Sequence, residues 1–390
     1  MGREVVELIK HRKIALFINS MGPGGAERVI SILLKNSFSD KEKFLILLED
    51  NIFYSIPSNI TVIKLHKNLK STFKKMLSLV IDPFVVGIIL RKYEIDCVIS
   101  FLERPNIINF FANLIKKHKT IVSVRSVLSQ HYKKLPSGKL MSFMHRLVFK
   151  HVDLIVVNSR SIYDDLIKNF GVNKNKIKII FNPVDTEIIN TLKVKDVKDI
   201  QFNFPTIVSV GRFYPVKNHL LLLKSFAEVL KQSKAQLILI GDGPLRHRIS
   251  KECKLLGIEK YVKFLGFLKN PFKYMSKSDI FVLSSNTEGF PNVLVEALAC
   301  NLSVISTLSS NSVCEILNGN LKCEFDSGKK IIFGKYGIIV EKNSVSALST
   351  AILKLLKDKK LMRYYKCNST KAIERFSVVK ISAEWNSLVR

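Results

Sequence analysis

No Cys-x-x-Cys pair occurs in the 390-residue chain, and its six cysteines (Cys97, Cys253, Cys300, Cys314, Cys323, Cys367) are scattered without a histidine cluster beside them. That pattern excludes a zinc module and a disulfide scaffold and points to reduced thiols. Acidic residues are scarce: 32 Asp and Glu stand against 62 Lys and Arg, a formal net charge of +30. Long apolar runs are missing as well. The most hydrophobic window, 76–90, falls short of the about 20 residues a bilayer crossing needs, and it holds Asp82 and Pro83. A buried helix is expected there. The first residues, Met-Gly-Arg-Glu-Val-Val-Glu, carry no apolar stretch behind a basic head, so no secretory signal is expected, and Gly2 lacks the downstream Ser or Thr of a lipidation motif.

What is present is a large core. Hydrophobic residues make up 47% of the chain and mean hydropathy is +0.16. High charge with low hydrophobicity would mean disorder, so this combination means a folded protein with a basic surface. Such a surface meets something anionic: nucleic acid, a phosphorylated substrate or acidic lipid. At about 150 residues per domain, two or three domains are expected.

Short Ile/Leu/Val runs alternate with helical periods along the whole chain. Strands are expected at 14–19, 44–48, 61–63, 97–101, 120–124, 154–157 and 178–180, then again at 206–210, 236–240, 262–264, 280–284, 303–306 and 337–340. Continuous apolar strands separated by helices describe a parallel sheet covered on both faces. Between the two series the Lys-rich stretch 185–203 shows no period. The expected organisation is therefore a first Rossmann-like domain at 1–190, a linker at 191–204, a second such domain at 205–375, and a last helix, 376–390, that can cross back to the first. The fold class is α/β, two doubly wound domains facing across a cleft, where strand ends place ligands.

Glycine turns follow several of these strands. The first strand runs into Ser20-Met21-Gly22-Pro23-Gly24-Gly25-Ala26-Glu27-Arg28 and a helix; there is no Gly-Lys-Ser/Thr of a Walker loop and no G-x-G-x-x-G spacing. Backbone N–H groups at such a turn can approach an anion, though a tight turn without a ligand reads the same way. In the second half, Gly211-Arg212-Phe213-Tyr214-Pro215-Val216-Lys217 places two cations in a loop after a buried strand, where guanidinium and ammonium can grip a diphosphate together. Gly241-Asp242-Gly243-Pro244 repeats the construction. The segment 284–298 is richest: a Gly turn, Pro291 at a helix start, N–H groups at Asn292 and Val293 aimed at the strand ends, and acids at Glu288 and Glu296.

Glu288-Gly-Phe-Pro-Asn-Val-Leu-Val-Glu296, followed by Ala297-Leu298-Ala299-Cys300, resembles the Glu-x7-Glu motif of retaining glycosyltransferases of family 4, which have the two-domain GT-B fold. Gly211-Arg212…Lys217 is similar to that family's diphosphate element, and Gly22–Arg28 to its N-terminal Gly loop. The resemblance runs through nearly the whole chain. It implies that Arg212 and Lys217 neutralise the donor diphosphate, the leaving group, in place of a metal. It further implies that Glu288 contacts and positions the donor sugar and that Glu296 holds the ribose hydroxyls. Gly24 and Gly25 would lie near the phosphates or the transferred sugar, with Gly211, Gly243, Phe290, Asn292 and Val293 completing the donor site. Retention by a front-face route, in which a donor phosphate oxygen helps deprotonate the acceptor hydroxyl, is implied too. Many members carry a His after a middle strand of the N-terminal domain; here Arg125 stands there, and it cannot act as a base at neutral pH. It is expected to contact sugar or phosphate, or else to pair with an acid such as Glu103.

Between Thr61 and Lys150 there are 17 Lys and Arg against 4 Asp and Glu, a net +13. Stretches such as 64–77 and 132–150 mix cations with Leu, Met and Phe, which suits anionic headgroups. With the resemblance to N-acetylhexosamine transferases of polyprenyl-diphosphate glycans, the expected activity is retaining, metal-independent transfer of a hexose or N-acetylhexosamine, GalNAc or GlcNAc, from a UDP-sugar to a lipid-linked glycan. Neither a cofactor nor nucleic acid is expected, and the place of action is the inner face of the cytoplasmic membrane. The competing expectations are a nucleotide-sugar epimerase of similar architecture, or a transferase using a soluble or lipopolysaccharide-core acceptor.

Overall fold

The computed structural model describes residues 13–67, 71–133, 135–319 and 323–389. Residues 1–12, where no secretory signal is expected, and Lys70 and Lys134 of the basic stretches lie outside this set. The chain divides into two compact units, Met1–Pro183 with Val378–Arg390, and Val184–Ser377.

In the first unit seven parallel strands, β1 (Lys13–Ile18), β2 (Glu42–Glu49), β3 (Thr61–His66), β4 (Cys97–Phe101), β5 (Lys119–Val124), β6 (Leu154–Val157) and β7 (Ile177–Ile179), lie in the order β3-β2-β1-β4-β5-β6-β7. The order reverses beside β1, which pairs Ile14–Phe17 with Cys97–Ser100 of β4. Six helices connect the strands: α1 (Gly25–Asn36), α2 (Thr72–Lys92), α3 (Glu103–Ala112), α4 (Leu128–Tyr132), α5 (Gly138–His151) and α6 (Arg160–Phe170). Successive strand side chains point to opposite faces, and both faces are buried. Ile14 and Leu16 of β1 pack with Val29 and Leu33 of α1, whereas Ala15 and Phe17 pack with Val86 and Leu90 of α2.

The second unit opens with α7 (Thr186–Lys193) and repeats the plan. Its strands are β8 (Thr206–Val210), β9 (Gln236–Ile240), β10 (Val262–Gly266), β11 (Ile280–Leu283), β12 (Ser303–Thr307), β13 (Ile331–Phe333) and β14 (Ile338–Val340), in the order β10-β9-β8-β11-β12-β14-β13. All neighbours are parallel except β13 and β14. The helices are α8 (His219–Leu230), α9 (Arg246–Leu255), α10 (Phe272–Met275), α11 (Asn292–Ala299), α12 (Asn311–Leu317), α13 (Val345–Lys357) and α14 (Lys359–Ile373). The chain then returns as α15 (Val378–Ser387) to the first unit, where Trp385 stacks on Phe101 with centroids 5.6 Å apart.

Two expectations are corrected. Residues 191–204 are not a linker but part of the second unit. Asn270 Nδ2 donates to the Leu192 carbonyl (2.9 Å), Ser276 Oγ to that of Lys193 (2.7 Å) and Tyr274 Oη to Asp199 (2.7 Å), so polar contacts rather than an apolar period fix the segment. The window 76–90 is helical, as expected, but buried on one side only: Val86 and Leu90 are 0% exposed, whereas Phe84 is 61% exposed and Ile88 64%.

Burial also leaves imidazoles neutral. His118, inside a cage of Asn109 Oδ1 (2.8 Å) and the Lys116 carbonyl (2.7 Å), is pushed down to about 4, mainly by desolvation. Desolvation likewise lowers His145 and brings His219 down to about 4. Unfolded histidines titrate near 6.5, so between about 6.5 and 4 the unfolded chain binds more protons than the folded one and stability falls as pH falls. Urea melts at pH 7.5, 6 and 5 are expected to show this loss, up to about 1.4 kcal/mol per pH unit for each group. Equal stability at pH 7.5 and 5 would contradict it.

Candidate active site

The second unit brings three strand-end loops together. After β8 the chain passes Gly211 and Arg212, and after β9 it passes Gly241 and Gly243; the two loops lie backbone against backbone. Gly211 N donates to the Ile240 carbonyl (2.9 Å) and Phe213 N to that of Asp242 (2.8 Å). Gly241 has φ +142° and Gly243 φ +155°, and a Cβ on Gly243 would come within 2.8 Å of the Phe213 carbonyl oxygen. These positions require glycine for both conformation and space.

The same loop continues through a single 3-10 turn to Asn218, whose left-handed φ of 47° lets its side chain cap α8 at Leu221 N. Asn218 Nδ2 also donates to Asn286 Oδ1 (3.0 Å), and Asn286 N donates to the Val216 carbonyl (2.8 Å), so the loop after β11 is fastened alongside. Across this junction Lys217 Nζ donates to Glu288 Oε1 at 2.6 Å, and Ser285 Oγ donates to the same oxygen at 2.7 Å. Both charged side chains are largely shielded, so the pair is stronger than a surface ion pair. Arg212 is exposed, its guanidinium 5.2 Å from the Tyr214 ring, and among the described residues no carboxylate pairs with it.

Beyond Glu288 the loop is held at Gly289, whose carbonyl accepts from Ser312 Oγ, and at Phe290, which packs edge-on against Phe376 (5.5 Å). Pro291 caps α11 rather than opening it. The Asn292 amide donates back to the Phe290 carbonyl (3.0 Å) and the Leu294 amide to that of Pro291 (2.9 Å). Glu296 lies one turn further in and is 8% exposed.

In the first unit the turn after β1 ends at Gly24, the N-cap of α1, and Gly25, its first residue. Tyr54 Oη donates to the Gly24 carbonyl (3.3 Å), and the Glu27 carboxylate lies where a Cβ on Gly24 would stand. Arg125, beyond β5, is not paired with Glu103, which accepts from Ser126 Oγ instead (2.7 Å). Its Nη1 donates to Asn182 Oδ1 at 2.6 Å, and its guanidinium sits 4.8 Å from the Phe101 ring and 5.7 Å from Trp385. Nε and Nη2 are buried with no hydrogen-bond partner, and burial alone pushes the group down to about 9, so it stays cationic at neutral pH. A buried cation with two unspent donors beside a strand end can take a hydroxyl or an anion.

Three residues of the second-unit loops escape sequence reading. Ser285 bonds Glu288, Asn218 ties two loops, and His219, edge-on to Phe213 at 4.8 Å, packs directly behind Lys217 as a neutral ring. Asn218 and His219 follow Lys217 immediately, which is the one signal that would have drawn them in. Among the described residues, no group of three or more His, Cys, Asp or Glu side chains is placed to hold a metal ion.

Residues 190–372 match the family model described as glycosyl transferases group 1, and residues 39–188 that of glycosyltransferase family 4. A Campylobacter jejuni N-acetylgalactosamine-N,N'-diacetylbacillosaminyl-diphospho-undecaprenol 4-alpha-N-acetylgalactosaminyltransferase is 32% identical over 378 residues, 96% of this chain and 98% of that protein. A second C. jejuni protein, a GalNAc-alpha-(1->4)-GalNAc-alpha-(1->3)-diNAcBac-PP-undecaprenol alpha-1,4-N-acetyl-D-galactosaminyltransferase, is 25% identical over 97% of this chain and 98% of its own. Among solved structures, the Anabaena protein HepE with UDP and glucose superposes with a TM-score of 0.75 at 18% identity, covering 97% of this chain and 99% of its own. Two Rossmann-like units with strand-end loops of this kind make the GT-B fold. The chain belongs to the GT-B glycosyltransferases built from these two family domains.

Proposed function

We propose that the protein is a retaining, metal-independent transferase that moves an N-acetylhexosamine, GalNAc before GlcNAc, from a UDP-sugar to a polyprenyl-diphosphate-linked glycan at the inner face of the cytoplasmic membrane. The observation that carries the reading is the cation pair of one loop, Arg212 unpaired and Lys217 held by Glu288 at 2.6 Å. When the acceptor hydroxyl attacks the anomeric carbon, the bond to the diphosphate oxygen breaks and negative charge grows on the leaving UDP. Arg212 and Lys217 stabilise that charge, which is the service a divalent ion performs elsewhere. Glu288, fixed by Ser285 and Lys217, positions the sugar, and Glu296 holds the ribose. The undecaprenyl-linked acceptors printed in the names of both C. jejuni relatives support the acceptor class.

The test is radiolabelled UDP-GalNAc with purified protein and a membrane extract. Label is expected in the organic phase only when extract is present, with the rate unchanged by EDTA. A rate abolished by EDTA and restored by Mg²⁺ would overturn metal independence. Labelled nucleotide-sugar isomer formed without extract would mark an epimerase instead.

A further inference from the structure

Helix α2 is apolar on its outer side as well as its inner one. A helix on the surface of a globular protein presents its polar side to water and its apolar side to the core. Here the side facing the protein carries Val86 and Leu90, which pack with Ala15 and Phe17, together with the buried Ser78 and Asp82, yet the outer side carries Met76, Leu77, Val80, Ile81, Phe84 and Ile88, each at least 47% exposed. Asp82 accepts from His66 Nε2 (2.9 Å) and lies 3.7 Å from Arg104 Nη2. Arg104 also donates to Ser78 Oγ (2.8 Å) and Glu49 Oε1 (3.2 Å). The helix is thus anchored on its inner side by Val86 and Leu90 against β1 and by Ser78 and Asp82 toward the end of β3 and the start of α3. Its outer face is left as an apolar stripe about 18 Å long at 1.5 Å per residue.

The surroundings name the occupant. Asp82 is the only acid in α2 and faces inward, while Arg91 and Lys92 close the stripe, both exposed. Like α2, α5 packs on α3, and it contains no acid at all. Its exposed side alternates Leu140, Phe143 and Leu147 with Lys139, Arg146 and Lys150. Apolar side chains set among cations match the boundary between anionic headgroups and acyl chains. A second copy of this chain, itself at +30, would set like charges against each other.

We propose that α2 lies in the plane of an anionic bilayer with the 76–88 stripe sunk into the headgroup–acyl boundary, α5 providing a second, more electrostatic contact. The inference deepens the lipid-linked acceptor reading above by assigning the helix that meets the membrane. Its test contains no sugar, so the two stand or fall separately.

Purified full-length protein is sedimented with vesicles of phosphatidylcholine, with and without phosphatidylglycerol. Association is expected with the anionic vesicles, weakened but not abolished by high salt. In Phe84→Trp the new indole is expected to shift its emission to the blue on binding and to be quenched by brominated acyl chains, against a native background of the single buried Trp385. The triple change Val80→Ser, Phe84→Ser, Ile88→Ser is expected to lower partitioning at least about tenfold with an unchanged melting temperature. The proposal is overturned by wild-type protein that ignores both vesicle types, by an indole emission that does not move while the protein binds, or by a triple variant that binds as wild type. A wild-type dimer that the triple change converts to monomer would assign the stripe to a second copy instead. Vesicle binding without sugar transfer to any lipid-linked acceptor overturns the preceding reading and leaves this one intact.

Discussion

Lys217→Ala is expected to lower kcat/KM for sugar transfer about a thousandfold, close to 4 kcal/mol of transition-state stabilisation, while the melting temperature stays within a few degrees of wild type. The size follows from where the ammonium stands. It is one of two cations on the loop after β8, and its 2.6 Å bond to Glu288 holds it in place before any diphosphate arrives. Removing it takes half the positive charge from the leaving group and frees Glu288 from its cation. Ser285 still donates to Glu288 at 2.7 Å, so the carboxylate keeps a partner and the loop keeps its anchor at Asn286 N. Lys217→Arg is expected to retain a few per cent of activity, because the charge persists while the fork geometry differs from a point charge. A Lys217→Ala enzyme with a wild-type rate would remove the diphosphate role from this loop.

Both sheets were legible in the sequence, apart from the antiparallel edge strand β13, because most of their strands are buried on two faces. Runs such as Cys97–Phe101 and Gln236–Ile240 are buried throughout and apolar but for Ser100 and Gln236, and a parallel sheet between helical layers is what such runs make. The strand-end loops were legible for a related reason: glycine and charge stand out where an apolar strand stops. What lay beyond reach was whatever depends on contacts distant along the chain. The pairing of Lys217 with Glu288 spans 71 positions, and the segment after α7 is held by Asn270, Tyr274 and Ser276, none of which leaves a trace in its own neighbourhood. The orientation of α2 is the sharpest case. Its apolar content suggested burial, yet hydrophobicity says how apolar a helix is, not which side faces the protein. That was decided by Val86 and Leu90 packing on β1 and by Arg104 and His66 reaching Asp82 from other elements. From the sequence Arg125 is expected to contact sugar or phosphate or else to pair with an acid such as Glu103; the pairing with Glu103 does not form, and its place between Phe101 and Trp385 needed α15 to return to the first unit.

Gly241→Ala tests how the fold builds the site, and it is expected to cost about 3 kcal/mol or more, lowering the melting temperature by about 6 to 12 °C for a unit of this size. At φ +142° an L side chain is strained before any contact is considered, and here the added Cβ would fall on the carbonyl oxygen of Gly211. That oxygen belongs to the backbone of the loop that presents Arg212 and Lys217. Relief can come only by moving the two loops apart, which breaks the bonds from Gly211 N to Ile240 and from Phe213 N to Asp242. Stability and UDP binding are therefore expected to fail together: the melting temperature drops, and the rise that UDP produces in wild type is lost. Gly171→Ala is the matched control. Gly171 ends α6 at φ +67° with nothing within 4 Å of a built Cβ, so the change costs about 1 kcal/mol of left-handed strain and leaves the UDP response intact. A Gly241→Ala protein that melts with wild type and still responds to UDP would show that the close approach of the two loops is not what aligns the cations.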